Sequence, residues 1–176
     1  MATAFELQPN LIGPRLELRP LQSEDFEALY FAAADPKIWE IHPEPNRHER
    51  PVFEKFFAEA LRSKGALAVL DRATGRIIGS SRYYDLDAEK KEIVIGYTFL
   101  TRAYWGGSYN RELKTLMLDH AFRFVDAVQF HVGEHNIRSR KAMEKIGGVL
   151  SGSFEKTGAD GSPRRNVIYK IQKKKP

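Results

Sequence analysis

The sequence predicts an α/β (α+β) fold, a mixed, mostly antiparallel sheet of six to seven strands with about four helices on its faces. Three observations predict it. The run Glu92 to Leu100 is largely apolar on both faces, Ile93, Ile95, Tyr97 and Phe99 alternating with Val94, Gly96, Thr98 and Leu100, so it belongs inside a sheet. This run passes through Trp105-Gly106-Gly107 into a helical stripe of Leu113, Leu116, Met117, Ala121 and Phe124. Finally, the order of periodic segments is strand, two helices, three strands, helix, strand, helix, two strands. The strand after the crossover helix is expected parallel to 92–100 and splayed from it, leaving a cleft for an elongated ligand.

In chain order, residues 1–10 read as a loose terminus within a lead-in that runs to residue 13. Arg15 to Leu21 alternates as a strand with Leu16 and Leu18 buried. Ser23 is placed to cap a helix carrying Phe26, Leu29, Tyr30 and Ala33, which Asp35-Pro36 stops. Residues 38–50, with Trp39, His42 and His48, have no period and read as a loop, either one arching over a site or a packed surface loop. Pro51 to Lys64 is helical, with Gly65 closing its end. Ala66 to Asp71, Arg76 to Tyr84 and 92–100 form an antiparallel meander. Val128 to Val132 is a short strand and Asn136 to Ile146 a helix. Val149 to Phe154 and Asn166 to Gln172 are closing strands joined by a turn at 158–161, and 173–176 is a loose tail.

The 176 residues, 42% hydrophobic with 11 Phe, 7 Tyr and 2 Trp, suffice for one substantial core, so residues 1–176 are read as a single domain. There is no cysteine, which excludes thiol nucleophiles, disulfides and thiolate metal sites. No His, Asp and Glu cluster has metal-ligand spacing, so no metal is expected. Net charge is +5, of which Lys173, Lys174 and Lys175 supply three. Without a basic stripe and a recognisable reading element, no nucleic acid is expected. No segment has the pattern of a leader or a membrane span, so the expectation is a cytoplasmic protein with no membrane partner.

The glycine turn before the helix at 109 is the strongest chemical signal. Backbone N–H groups from Gly107 to Arg111 are the unpaired donors of a first helical turn, and the helix dipole adds to their attraction for an anion. Taken alone, a Gly-Gly pair is only a turn.

The layout does not stand alone. Arg15-Leu-Glu-Leu-Arg-Pro20, Ile78-Gly-Ser-Ser-Arg-Tyr83, Ile95-Gly-Tyr97, Tyr104-Trp-Gly-Gly107 and Asn136-Ile-Arg-Ser-Arg-Lys-Ala-Met-Glu-Lys-Ile-Gly147 occur in order. Together they resemble the GNAT superfamily of acetyl-CoA-dependent N-acetyltransferases, closest to the branch of ribosomal-protein N-terminal acetyltransferases. The resemblance implies an acyltransferase with acetyl-CoA as cosubstrate and a primary amine, either a protein N-terminus or a small molecule, as acceptor. A homodimer is compatible with it.

By this resemblance, Phe99 and Leu100 lie beside pantetheine. Gly106, Gly107, Ser108, Tyr109, Asn110 and Arg111 surround the pyrophosphate, with Lys114 adding charge. Asn136 bonds near pantetheine and Ser139 lies by the sulfur as the acid. The sequence departs from the family at Ser108 and Asn110, where the turn is usually free of bulk, at Val94, where this branch often has Glu, and at Met143, where many members have Tyr. Glu92, two residues before Val94, is the remaining carboxylate candidate for a base, although a solvated strand-end charge is the plainer reading. Tyr84 and Trp39 are acceptor-side candidates, with packing as the plainer reading. His120 reads as a core histidine and Tyr83 as packing. The departures also support an alternative, a degenerate, non-catalytic acyl-CoA-binding sensor.

Overall fold

The computed structural model describes residues 4–158 and 160–175. Its elements are Leu11–Ile12 (β1), Leu16–Pro20 (β2), Phe26–Ala33 (α1), Arg50–Ser63 (α2), Ala66–Asp71 (β3), Ile77–Asp87 (β4), Glu92–Leu100 (β5), Tyr109–Ala121 (α3), Ala127–Gly133 (β6), Ile137–Lys145 (α4), Val149–Thr157 (β7) and Pro163–Gln172 (β8). The strands form one sheet in the order β1-β2-β3-β4-β5-β6-β8-β7. Every pairing is antiparallel except β5 with β6. The mixed architecture is the expected one, with one more strand.

That extra strand, β1, pairs Leu11 with Leu18 and is too short to show a period. The lead-in is held from Phe5 onward, whose ring packs against Tyr83 and Phe124, and the Gln8 side chain donates to the Ala66 carbonyl. Met1, Ala2 and Thr3 lie outside the described residues, as do Ala159 of the expected 158–161 turn and Pro176 of the tail. Before α1, a 3-10 turn at Ser23–Asp25 is closed by Asp25 rather than by Ser23, its carboxylate accepting from the Gln22 N–H at 2.8 Å and from both terminal nitrogens of Arg19. At the end of α2, Lys64 takes the left-handed conformation, φ 53°. Gly65 is glycine for another reason, since a Cβ there would stand 2.1 Å from the Tyr83 carbonyl.

Alternation along the strands separates two cores. On β3, Leu67 and Val69 join the core beneath α3, whereas Ala66 and Ala68 join the one beneath α1 and α2, where Phe53, Phe56 and Phe57 pack. On β5 the alternation changes phase. Ile93, Ile95 and Leu100 face α3, but Phe99, with Tyr97, faces the other core. The expectation of one continuous phase from Ile93 to Phe99 is therefore corrected.

The cause is a bulge: Ser80 pairs with Phe99 but Arg82 with Gly96, so β5 carries one extra residue. Tyr97 absorbs it at φ 54°, a left-handed conformation that costs a non-glycine residue about 1 kcal/mol. The Arg82 guanidinium, 3.9 Å from the Tyr97 ring centroid, covers the bulge from the buried side.

The bulge also turns β5 away from its parallel neighbour. Only Glu92, Ile93 and Val94 pair with β6, through Ala127, Val128 and Gln129. Beyond Val94 the two strands splay as expected, while β6 keeps its pairing with β8 up to Gly133. Among the described residues no helix is long and apolar enough to cross a membrane.

Candidate active site

Two cavities open at this splay. The first, about 810 Å³, lies among the end of β5, the turn before α3, and α4. Its apolar part is made by Trp39, Phe99 and Leu100, and its polar end by Gly106, Gly107, Ser108, Asn110 and Arg111. Gly106 takes φ 75° to bring the chain into α3. The first N–H groups of this 13-residue helix have no intrahelical acceptor, so the turn presents donors and the positive end of a dipole.

Along the strand the backbone is open too. Thr101 N–H donates to the Ile78 carbonyl at 2.8 Å, which makes 78 and 101 a bonded pair and 79 and 100 the intervening non-bonded one. The Leu100 N–H and carbonyl therefore point away from β4. Trp105 Nε1 donates to that carbonyl at 2.8 Å, leaving the N–H for a ligand.

On the facing helix, Asn136 caps α4 by accepting from the Ser139 N–H at 3.3 Å. Arg138, Lys141 and Lys145 line the same cavity and add three cations. The Arg138 guanidinium stacks 3.9 Å from the Trp105 ring centroid and donates to the Ile38 carbonyl.

The second cavity, about 530 Å³, adjoins the first at the splay. Tyr84, His131 and Lys114 line it, together with Glu44 and Arg47 of the 38–50 loop and Lys156 of β7. It shares four residues with the first cavity: His42, Thr98, Asn136 and Ser139. One cavity therefore offers an anion-binding turn and an open strand edge, the other an apolar and charged chamber, and they meet at two hydroxyls, an amide and an imidazole.

The family model for the acetyltransferase (GNAT) domain matches residues 15–149. The chain belongs to the GNAT acetyltransferase family. Among solved structures it is similar to a GCN5-related N-acetyltransferase from Brucella melitensis, with 20% identity, 94% of this chain and 79% of that one covered, and a TM-score of 0.83. It is also similar to Mycobacterium smegmatis RimJ in complex with CoA-disulfide, at 18% identity, 94% and 86% coverage and a TM-score of 0.73. Spermidine N-acetyltransferase from Vibrio cholerae, in complex with CoA and spermine, matches at 17% identity, 91% and 96% coverage and a TM-score of 0.70. At these identities the three share the GNAT fold with this chain. No curated protein sequence matches.

Within this GNAT fold, Phe99, Leu100, Gly106, Gly107, Ser108, Asn110, Arg111, Asn136 and Ser139 all come to the first cavity. Tyr109 does not line it. Its ring packs edge-on to Tyr104 at 4.9 Å beneath the Arg15 guanidinium, so only its backbone belongs to the turn. Ser108 is likewise engaged on the Arg15 side, accepting from Nη2 at 2.5 Å. Trp39 lines the first cavity, not the second. Its indole N–H donates to the Ala33 carbonyl and its ring packs on Phe99, so it is a wall rather than an acceptor contact.

Tyr84 does line the second cavity, 5.2 Å from the Tyr97 ring, and burial pushes its hydroxyl pKa up. Glu92 lines neither cavity. It accepts from Lys170 Nζ at 2.7 Å and Gln129 Nε2 at 2.8 Å, and is neither a solvated charge nor placed as a base. Lys114 lines the second cavity, so the phosphate contact expected of it is corrected. His120 is the core histidine expected, its Nε2–H donating to the Glu6 carbonyl. The Tyr83 hydroxyl donates to the Met117 carbonyl from within the core.

Sequence reasoning missed Arg138, Lys141 and Lys145, although their spacing of three and four residues on one helix was a usable signal. It named His42 only as part of the 38–50 loop and gave it no role, because a segment without a period does not show which side chain reaches the junction. Burial holds the His42 imidazole neutral, with its pKa lowered to about 3. Among the described residues, no group of three or more His, Asp or Glu could hold a metal ion.

Proposed function

We propose that this GNAT protein is an N-acetyltransferase that moves the acetyl group of acetyl-CoA to a primary amine by direct attack. The observation that carries the reading is the meeting of two cavities of different character, at the splay of β5 and β6, at Thr98, Asn136, Ser139 and His42. A transferase for two substrates needs such a meeting point, because it converts a bimolecular encounter into a positioned one.

On this reading the turn at 106–111 holds the pyrophosphate by backbone N–H groups and Arg111, with the cations of α4 supplying further charge. The Leu100 N–H takes a carbonyl of the cosubstrate and lowers the cost of negative charge developing there. Asn136 orients the acyl arm, and Ser139 protonates the departing thiolate directly or through water. The amine enters from the second cavity, where Tyr84 forms part of its wall. The acceptor is a protein N-terminus or a small amine, and a spermidine N-acetyltransferase sharing this fold supports an amine.

Acetyl-CoA should raise the melting temperature, since a ligand that binds only the folded state stabilises it by mass action, about 2.7 kcal/mol at 100 times the dissociation constant. Thiol release from acetyl-CoA with a panel of amines then tests transfer, and the cysteine-free chain adds no background to a thiol assay. A thermal shift without thiol release from any amine would make the protein a non-catalytic acyl-CoA sensor. No shift with acetyl-CoA or CoA would sink the reading altogether.

A further inference from the structure

Lys114 is only 3% exposed, yet it lines the second cavity. Its Nζ donates to Thr98 Oγ1 at 2.9 Å and lies 5.2 Å from the Phe130 ring centroid. Thr98 is one of the four residues at which the cavities meet. Among the described residues no carboxylate lies within ion-pair distance of Lys114, and the Thr98 hydroxyl that receives its N–H also bonds Ser81 Oγ. A leucine or methionine would fill this part of α3 without the cost of burying an ammonium. What lysine adds there is an amine whose neutral form burial favours.

We propose that neutral Lys114 is the proton acceptor of the transfer reaction, taking the proton that the attacking amine sheds. This rests on the acetyl-transfer reading above. The acceptor nitrogen bonds to the thioester carbonyl carbon, the carbon–sulfur bond breaks, the proton on nitrogen moves to Lys114 Nζ, and the thiolate takes a proton through Ser139 or from water. Lys114 then loses its proton to solvent. One N–H of the neutral lysine anchors it to Thr98 while its lone pair stays available. Burial lowers the Lys114 pKa to about 7, where a base is half available at neutral pH and still binds a proton well.

The other titratable groups of this cavity are less suited. From the 38–50 loop, His42 is held too weakly basic, and Glu44 and Arg47 bring one charge of each sign. From β4 come Tyr84, pushed up by burial, and Asp85. On β6, His131 is lowered by burial, with its Nε2 bonded to Gln129. Lys156 of β7 and Arg164 of β8 add cations, which are protonated at neutral pH and cannot accept a proton.

The test uses the full chain, wild type and Lys114→Met, with Lys114→Gln as a second variant that keeps a donor for Thr98 but cannot take a proton. Equal thermal shifts with acetyl-CoA in all three would keep the acetyl-transfer reading separate, since its own failure is a missing shift in wild type. NMR titration of lysine-labelled protein loaded with CoA, the Lys114 signal being the one lost in Lys114→Met, should give a midpoint near 7. A midpoint above about 9, close to an ordinary lysine, would overturn the proposal. Thiol release with spermidine and with a serine-initiated tripeptide should fall about 100-fold at pH 7 in both variants, and the acid limb near pH 7 should vanish. A merely structural lysine predicts a lower melting temperature and an unchanged pH profile, and that result would overturn the assignment as well.

Discussion

With a side-chain exposure of 17%, Glu92 is held by Lys170, whose hydrogen bond lowers its pKa below the usual carboxylate range. A lowered folded-state pKa contributes stability in full above the unfolded value of about 4.3 and loses it as pH falls through the folded value. Glu92→Gln should therefore cost about 1 kcal/mol at pH 7 and flatten the acid decline of stability, with turnover unchanged. Ser139→Ala should do the reverse, lowering turnover about 10- to 100-fold with stability and CoA affinity kept. Denaturant melts from pH 3 to pH 7, with kinetics of both variants, check the pair. The sequence could not distinguish these roles at Glu92, because its partner Lys170 lies 78 positions away. Lys114 was misplaced for a related reason: proximity in sequence to Arg111 suggests the phosphate turn, whereas its position on the helix takes it to the other cavity.

Among the elements, the turn and the bulge were legible to different degrees. Glycine marks the turn, and Gly106 at φ 75° shows why. A Cβ at Gly107 would meet only the Tyr109 ring, at 3.8 Å, so Gly107→Asp should fold normally. It would set a negative charge among the donors of the turn and weaken CoA binding at least about 10-fold. Calorimetry on the folded variant measures this, and unchanged affinity would mean that the phosphate end lies elsewhere. No composition signal marks the bulge, because Tyr97 is an ordinary strand residue held at φ 54° by its tertiary surroundings. The alternation read from 92–100 is therefore right up to Ile95 and shifted beyond it. That shift places Phe99 on one core and Thr98 over Lys114.

For the molecule as a whole, element order carried most of the fold, since a crossover helix after a buried strand demands a parallel neighbour and the remaining short connections demand antiparallel ones. The two-residue β1 and the anchoring of Phe5 were not legible, because both depend on contacts with strands and helices distant in sequence. The lining of the first cavity was legible because it is built on a turn and two helix starts. The second cavity was not, being assembled from the 38–50 loop, the splayed strands and the far ends of β7 and β8. A crystal structure with CoA bound tests the central claim most directly. It should show the pyrophosphate against the N–H groups of residues 106–111 and the sulfur at the junction of Thr98, Asn136 and Ser139. CoA bound with its sulfur outside that junction, or bound away from the first cavity, would contradict the account.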